Sequence, residues 1–157
     1  MPNYERDPAK VLLFEDNPDD EQVALRVFRR QSLPLDVSVA RDGEQALQSL
    51  GLTEGGRGPQ EIPDLIVSDL KMPKLSGDEV LVRVRACERL RDVPYVMFTS
   101  SDNESDIERC MARGASAYCT KPVGFPEYVE CLTKMVEKWL GPGDEPDPDC
   151  ELESAGA

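Results

Sequence analysis

Three short runs, Lys10-Val11-Leu12-Leu13-Phe14, Leu65-Ile66-Val67-Ser68 and Tyr95-Val96-Met97-Phe98, are apolar almost without a break, and each stops at an acid or a hydroxyl. Runs of this length with β-branched and aromatic members are too short for helices and too apolar for strands with one wet face. They predict strands buried on both sides, the pattern of a parallel sheet covered by helices. The carboxyl ends of such strands form the crevice in which open α/β sheets bind their ligands. Asp69, which ends the second of these runs and leads into Leu70-Lys71-Met72-Pro73, therefore stands where a charged side chain can act chemically. Taken alone, Asp69 is equally well read as a turn former, because aspartate starts turns readily.

The segments between the runs have helical periodicity. Glu15-Asp16 is followed by Asn17-Pro18-Asp19-Asp20, in which Asn17 can cap, Pro18 suits the first helical position and the acids complement the helix dipole. Val23, Ala24, Val27 and Phe28 then recur on one face, with Arg26, Arg29 and Arg30 on the other. Asp36 to Ala40 alternates like a strand and Gly43 to Leu50 reads as a short helix, whereas Gly51 to Pro63, rich in glycine and charge, reads as a surface loop. Ser76-Gly77-Asp78-Glu79 and Ser105-Asp106-Ile107-Glu108 are two capping boxes, each predicting a helix start. Ala117-Tyr118-Cys119-Thr120 predicts a fifth strand. Phe125, Val129, Leu132, Val136 and Trp139 mark a long amphipathic helix that closes the domain. Five strands alternating with five helices predict a doubly wound α/β fold, since consecutive parallel strands need helical crossovers of right hand.

With 157 residues, 39% hydrophobic, one domain is expected. Residues 1–9 read as an N-terminal arm, 10–140 as the domain, and 141–157 as an acidic tail too poor in apolar residues to fold. The net charge of −13 argues against nucleic acid and anionic membrane as partners, because either would call for clustered Lys and Arg. Five cysteines with no Cys-x-x-Cys pair suggest neither a disulfide framework nor a zinc site. No stretch resembles a signal peptide or a membrane span, so a cytoplasmic location is expected. The absence of histidine removes Ser-His-Asp and Cys-His catalysis and any phosphohistidine on this chain.

The strand ends carry a consistent set of groups: Glu15 and Asp16 after the first strand, Asp69 after the third, Thr99 at the end of the fourth and Lys121 after the fifth. If the strands are neighbours, these side chains share one crevice. Carboxylates about 4 Å apart repel by roughly 4 kcal/mol per pair at an effective dielectric of about 20, and a hard divalent cation offsets that repulsion. Mg²⁺, with its preference for oxygen ligands and substrate phosphates, is the expected occupant. Lys121 offers a cation and Thr99 a hydroxyl to phosphate oxygens.

These residues resemble the receiver domain of two-component response regulators, of the stand-alone chemotaxis-regulator type, over residues 10–140. The motifs are Glu15-Asp16, Asp69 to Pro73, Thr99, Tyr118 and Lys121-Pro122. The resemblance implies a flavodoxin-like sheet of order 2-1-3-4-5, with Asp69 as phosphoacceptor. It implies Mg²⁺ held by Asp16, Asp69 and the Lys71 backbone carbonyl, with Glu15 orienting a metal-bound water. Lys121 would pair with the phosphoryl group and precede a cis bond to Pro122, while Thr99 and Tyr118 would form a switch in which the ring turns inward on phosphorylation. The implied donor is a sensor histidine kinase, and the chain would be a phosphoacceptor with its own self-phosphorylation and self-dephosphorylation chemistry, not an enzyme. Lys71 and Ser101 occupy positions that flank the attacking water in that family, and the acidic pair is Glu-Asp where Asp-Asp is commoner. The loop before Ile62, the stretch Arg89 to Pro94 and the helix ending in Trp139 also resemble small regulators paired with bacterial phytochromes, which implies a homodimer through the fourth- and fifth-helix face. With no output domain before residue 157, signalling would pass through protein contacts. Two other roles fit: a phosphorelay intermediate or phosphate sink, and a Mg²⁺-dependent aspartyl-phosphate hydrolase, against which stands Lys71 where a second acid is needed.

Overall fold

The computed structural model describes residues 7–59 and 61–141 of the chain. Five strands, β1 (Ala9–Phe14), β2 (Leu35–Ala40), β3 (Leu65–Ser68), β4 (Tyr95–Thr99) and β5 (Ala117–Thr120), form one parallel sheet in the order β2-β1-β3-β4-β5. Five helices, α1 (Pro18–Arg29), α2 (Gly43–Ser49), α3 (Gly77–Ala86), α4 (Glu104–Ala112) and α5 (Phe125–Leu140), alternate with them. This is the flavodoxin-like order expected, and β1, β3 and β4 are the three apolar runs at the centre of the sheet. Residues 1–6 of the expected arm and 142–157 of the expected tail lie outside the described residues, which begin at Asp7 and end at Gly141.

Alternation along each strand divides the core in two. Leu12, Phe14, Ile66 and Met97 face one layer with α2, α3 and α4, whereas Val11, Leu13, Val67 and Phe98 face the other with α1 and α5. Every residue of β3 and β4 is buried, as a central parallel strand requires. The outer strand β2 alternates between half-buried and exposed positions, which is why its run looked weaker in the sequence.

The helix starts follow local chemistry with one correction. Asn17 caps α1, its Oδ1 accepting from the backbone N–H of Asp19 and Asp20 at 2.8 and 3.1 Å. At α3 the expected capping box is present: Glu79 accepts from the Ser76 N–H at 2.9 Å and the Ser76 side chain faces the Glu79 N–H, while the Ser76 hydroxyl donates to Asp78 at 2.6 Å. At α4 the expected cap, Ser105, lies inside the first turn. Asn103 caps instead, accepting from the Ser105 N–H at 2.8 Å, because asparagine two residues upstream reaches an orphan N–H of the first turn.

Two close approaches fix the turn after β3. Gly77 N–H donates to the Leu70 carbonyl at 2.7 Å, and a Cβ at Gly77 would overlap the Asp69 carbonyl oxygen, so only glycine lets α3 begin against the end of β3. Lys74, in the connection between them, adopts a left-handed φ of 74°. No peptide bond among the described residues is cis, so the expected cis bond between Lys121 and Pro122 is absent.

Candidate functional site

The register puts the five strand ends side by side. Phe14 pairs with Ser68 and Thr99 with Thr120, so Glu15, Asp69 and Lys121, each one position beyond, leave the sheet at the same edge. Backbone hydrogen bonds carry this order past the strands, from Asp69 N–H to the Phe14 carbonyl and from Lys121 N–H to the Thr99 carbonyl.

Lys121 is the hub. Its Nζ donates to Glu15 Oε1 at 2.8 Å, Asp20 Oδ2 at 2.9 Å and Asp69 Oδ2 at 3.0 Å, which uses all three donors of an ammonium group. It also lies 5.9 Å from the centre of the Phe98 ring, beneath which the helix α5 packs. The Lys121 side chain is only 7% exposed. Burial alone would lower its pKa, but the hydrogen bonds to Glu15 and Asp20 and the charge of Asp69 outweigh burial and hold it raised.

Glu15 is buried, and burial pushes its pKa up to about 7; the Lys121 hydrogen bond opposes this and the neighbouring Asp69 charge adds to it. Its second oxygen accepts from the Asn17 N–H at 3.1 Å. Asp69 Oδ1 accepts from the Leu70 N–H at 2.7 Å, which leaves the Oδ2 edge facing the crevice and Lys121. Asp16 is exposed at the rim.

One ligand atom from each of Glu15, Asp16 and Asp69 lies within 4.8 Å of the others, the only such group among the described residues. With Asp20, four carboxylates gather about one ammonium, three of them bonded to it. Oxygen donors and an excess of negative charge suit a hard divalent cation, and Lys71 borders the same crevice. The donor set therefore fits Mg²⁺.

The remaining expected residues are also in place. Thr99 is buried at the crevice wall, and its hydroxyl accepts weakly from the Ser101 N–H at 3.4 Å. Tyr118 is fully buried, and its hydroxyl donates to the Ser101 carbonyl at 2.7 Å. Lys71 and Ser101 both line the crevice.

Asp20 was missed as a site residue. The sequence offered it as one of several acids in the first turn of a helix, and only its place one turn beyond Asp16 hinted at more. A second group was missed entirely: Asp78, held by Arg109 and Arg113, both at 2.8 Å.

The comparisons with known proteins agree with this geometry. The family model described as the response regulator receiver domain matches residues 11–133. The chain belongs to that family. A probable methanogenesis regulatory protein, FilR2 of Methanothrix harundinacea, is 34% identical over 142 residues, covering 90% of each chain. Among solved structures, the phosphorylated cyanobacterial phytochrome response regulator RcpA superposes with a TM-score of 0.79 at 29% identity, covering 90% of this chain and all of that one. The Mn²⁺-bound form of response regulator Rcp1 superposes with a TM-score of 0.75, also at 29% identity, over 89% of this chain and all of that one. Among the described residues no helix is long and apolar enough to cross a membrane.

Proposed function

We infer that Asp69 accepts a phosphoryl group from the phosphohistidine of a sensor histidine kinase, and that the chain signals through protein contacts. The observation that carries this reading is the approach of Lys121 Nζ to within 3.0 Å of Asp69 Oδ2, inside a crevice where Glu15 and Asp16 complete an oxygen cage. An Asp69 oxygen attacks the phosphorus in line; the new P–O bond forms as the P–N bond breaks, and the imidazole leaves with the electron pair. Lys121 offsets charge on the moving phosphoryl oxygens, and the Thr99 hydroxyl can donate to them once they arrive. Asp16, Asp69 and the Lys71 carbonyl would hold Mg²⁺, with Glu15 orienting its water; the ion supplies charge neutralisation at the phosphoryl group.

Asp69 chemistry limited to its own phosphorylation and hydrolysis makes the chain a signalling acceptor rather than a turnover enzyme. These 157 residues contain no histidine, so the phosphohistidine of the donor lies outside them. Val123 and Phe125 stand exposed on either side of Gly124, just beyond Lys121-Pro122. The likeness to RcpA, a phytochrome response regulator, supports a phytochrome-class kinase as donor. We further propose a cytoplasmic location and a homodimer through the α4-to-α5 face, where Met111 is exposed. Light scattering with and without a phosphoryl mimic tests the dimer; a monomer in both states removes it.

The acceptor is tested by phosphotransfer from a panel of autophosphorylated histidine kinases, including phytochrome-class members. Wild-type protein takes base-labile label and Asp69→Asn does not. Label that persists on Asp69→Asn overturns the assignment.

A further inference from the structure

Lys121 reaches the crevice on a flexible four-carbon stem that ends in a freely turning ammonium, so something has to fix where its donors point. Two of its three bonds go to the chain that joins β1 to α1. Glu15 Oε1 accepts at 2.8 Å and Asp20 Oδ2 at 2.9 Å, and the third donor meets Asp69 Oδ2 at 3.0 Å.

Glu15 and Asp20 are themselves joined through Asn17. The Asn17 N–H donates to Glu15 Oε2 at 3.1 Å, and Asn17 Oδ1 accepts from the Asp20 N–H at 3.1 Å. A closed ring of hydrogen bonds therefore runs from Lys121 to Glu15, Asn17, Asp20 and back. Two donors of a tetrahedral ammonium held at fixed points set the direction of the third, and the third is the one aimed at Asp69. Glu15 alone cannot set it, because a group held by one bond still turns about that bond. Asp69 cannot supply the second fixed point, because its crevice-facing oxygen is the one offered to phosphorus. That leaves Asp20, whose side chain is 34% exposed against 3% for Glu15 and closes the ring on its wet side. Helix-dipole chemistry does not account for the contact. Asp19, its neighbour in the same first turn, complements the dipole equally and is exposed, whereas Asp20 lines the crevice.

We propose that Asp20 is a positioning residue for phosphoryl capture: with Asn17 and Glu15 it clamps the Lys121 ammonium so that one donor already stands at Asp69 Oδ2, a role that rests on Asp69 being the acceptor. A donor set in advance needs no reorientation as charge moves onto the phosphoryl oxygens. Asp20→Ala opens the ring while leaving Glu15, Asp69 and Lys121 chemically intact. Asp20→Asn keeps an oxygen where Lys121 needs an acceptor and closes the ring again without the charge.

Two measurements on the full chain test this. Side-chain ¹⁵N spectra of the lysine ammonium groups, recorded with no phosphodonor present, show whether Lys121 is held. The limiting rate of Asp69 labelling by acetyl phosphate with Mg²⁺ shows whether holding it matters. Wild-type protein gives a slowly exchanging Lys121 ammonium signal. Asp20→Ala loses that signal and labels more slowly, on the order of tenfold, the worth of one hydrogen bond to a charged group. Asp20→Asn recovers the signal and most of the rate, and Asp19→Ala, which removes the same helix-dipole charge, matches wild type in both. A freely exchanging Lys121 in wild type, or an Asp20→Ala protein with both signal and rate intact, overturns the proposal. So does an Asp19→Ala protein as slow as Asp20→Ala, which would reduce Asp20 to a helix-dipole acid, or an Asp20→Asn protein that recovers neither readout. Absence of label on wild-type protein overturns the acceptor assignment instead, and the ammonium signal still judges the clamp.

Discussion

Two acid-and-base clusters, one around the buried Lys121 and one around the buried Asp78, are built with opposite balances. Around Lys121, three carboxylates, Glu15, Asp20 and Asp69, bond a single ammonium, and a fourth, Asp16, lies beside Glu15 and Asp69. Around Asp78, a single carboxylate meets two guanidinium groups and a hydroxyl. The second cluster is satisfied, since both Asp78 oxygens accept hydrogen bonds, Oδ1 from Ser76 and Oδ2 from Arg109 and Arg113. The first is left short of positive charge. A surplus of acid costs stability in the resting protein and gives a cation or a phosphoryl–metal pair something to bind. One cluster holds the fold and the other waits for a ligand.

Adding Mg²⁺ tests that difference most strongly. Saturation to about a hundred times the dissociation constant raises stability by about 2.7 kcal/mol, read from the thermal midpoint of the full chain. Asp16→Asn loses most of that rise and, with less repulsion to relieve, is the more stable protein without metal. Asp78→Ala gains as much from Mg²⁺ as wild type does, so the two clusters separate in one experiment.

Asp78→Ala has the next largest effect. Removing one partner of a buried pair costs about 3–5 kcal/mol, but Arg109 and Arg113 are 41% and 38% exposed, and solvent screens them, so a loss of about 2 kcal/mol is expected in denaturant melts. A loss below about 0.5 kcal/mol would make the cluster decorative.

Acid titration should show slopes of opposite sign. Burial raises the Asp78 pKa, but the Ser76 and Arg109 bonds and the two arginine charges more than reverse it, so the net shift is downward. Its contribution is present above the unfolded pKa of about 3.9 and is lost as pH falls through the lower folded value. Glu15 has the reverse sign. With its folded pKa up at about 7, stability is greatest below the unfolded value of about 4.3 and declines as pH rises towards 7 in protein stripped of metal by EDTA. Glu15→Gln removes the second slope and leaves the first. A Glu15→Gln protein that still loses stability between pH 4.5 and 7 contradicts this account.

The smallest effect belongs to Tyr128 on α5. Its buried hydroxyl has no protein hydrogen-bond partner, although its ring packs edge-on against Phe98 with centres 5.2 Å apart. Tyr128→Phe keeps the packing and removes an unmet polar group, so stability should move by no more than about 0.5 kcal/mol, in the stabilising direction. A larger loss would mean that the hydroxyl is bonded through water to the Lys121 cluster.

Much of the first cluster was legible without the fold. Glu15, Asp16, Asp69, Thr99 and Lys121 each sit at the end of a short apolar run, and parallel strands with regular crossovers carry equivalent ends to one edge. Asp20 was not legible, because its role depends on where α1 turns over the crevice. The Asp78 cluster was invisible for the same reason at longer range: Asp78 and Arg113 are separated by 35 residues and belong to helices that meet only after the sheet is assembled. The capping box at Ser105 misled because it satisfied a local rule, while Asn103 satisfied it one turn edge earlier.

By itself the sequence determined the alternation of strands and helices, the double burial of the central strands and the chemistry available at their ends, since each depends on neighbours a few residues away. Tertiary structure alone decided which charges share a neighbourhood. It placed three acids on Lys121, set Tyr118 inward on the Ser101 carbonyl, and passed Asp78 to α4, because electrostatic balance depends on distance in space and on burial, and neither is written in the spacing of residues along the chain.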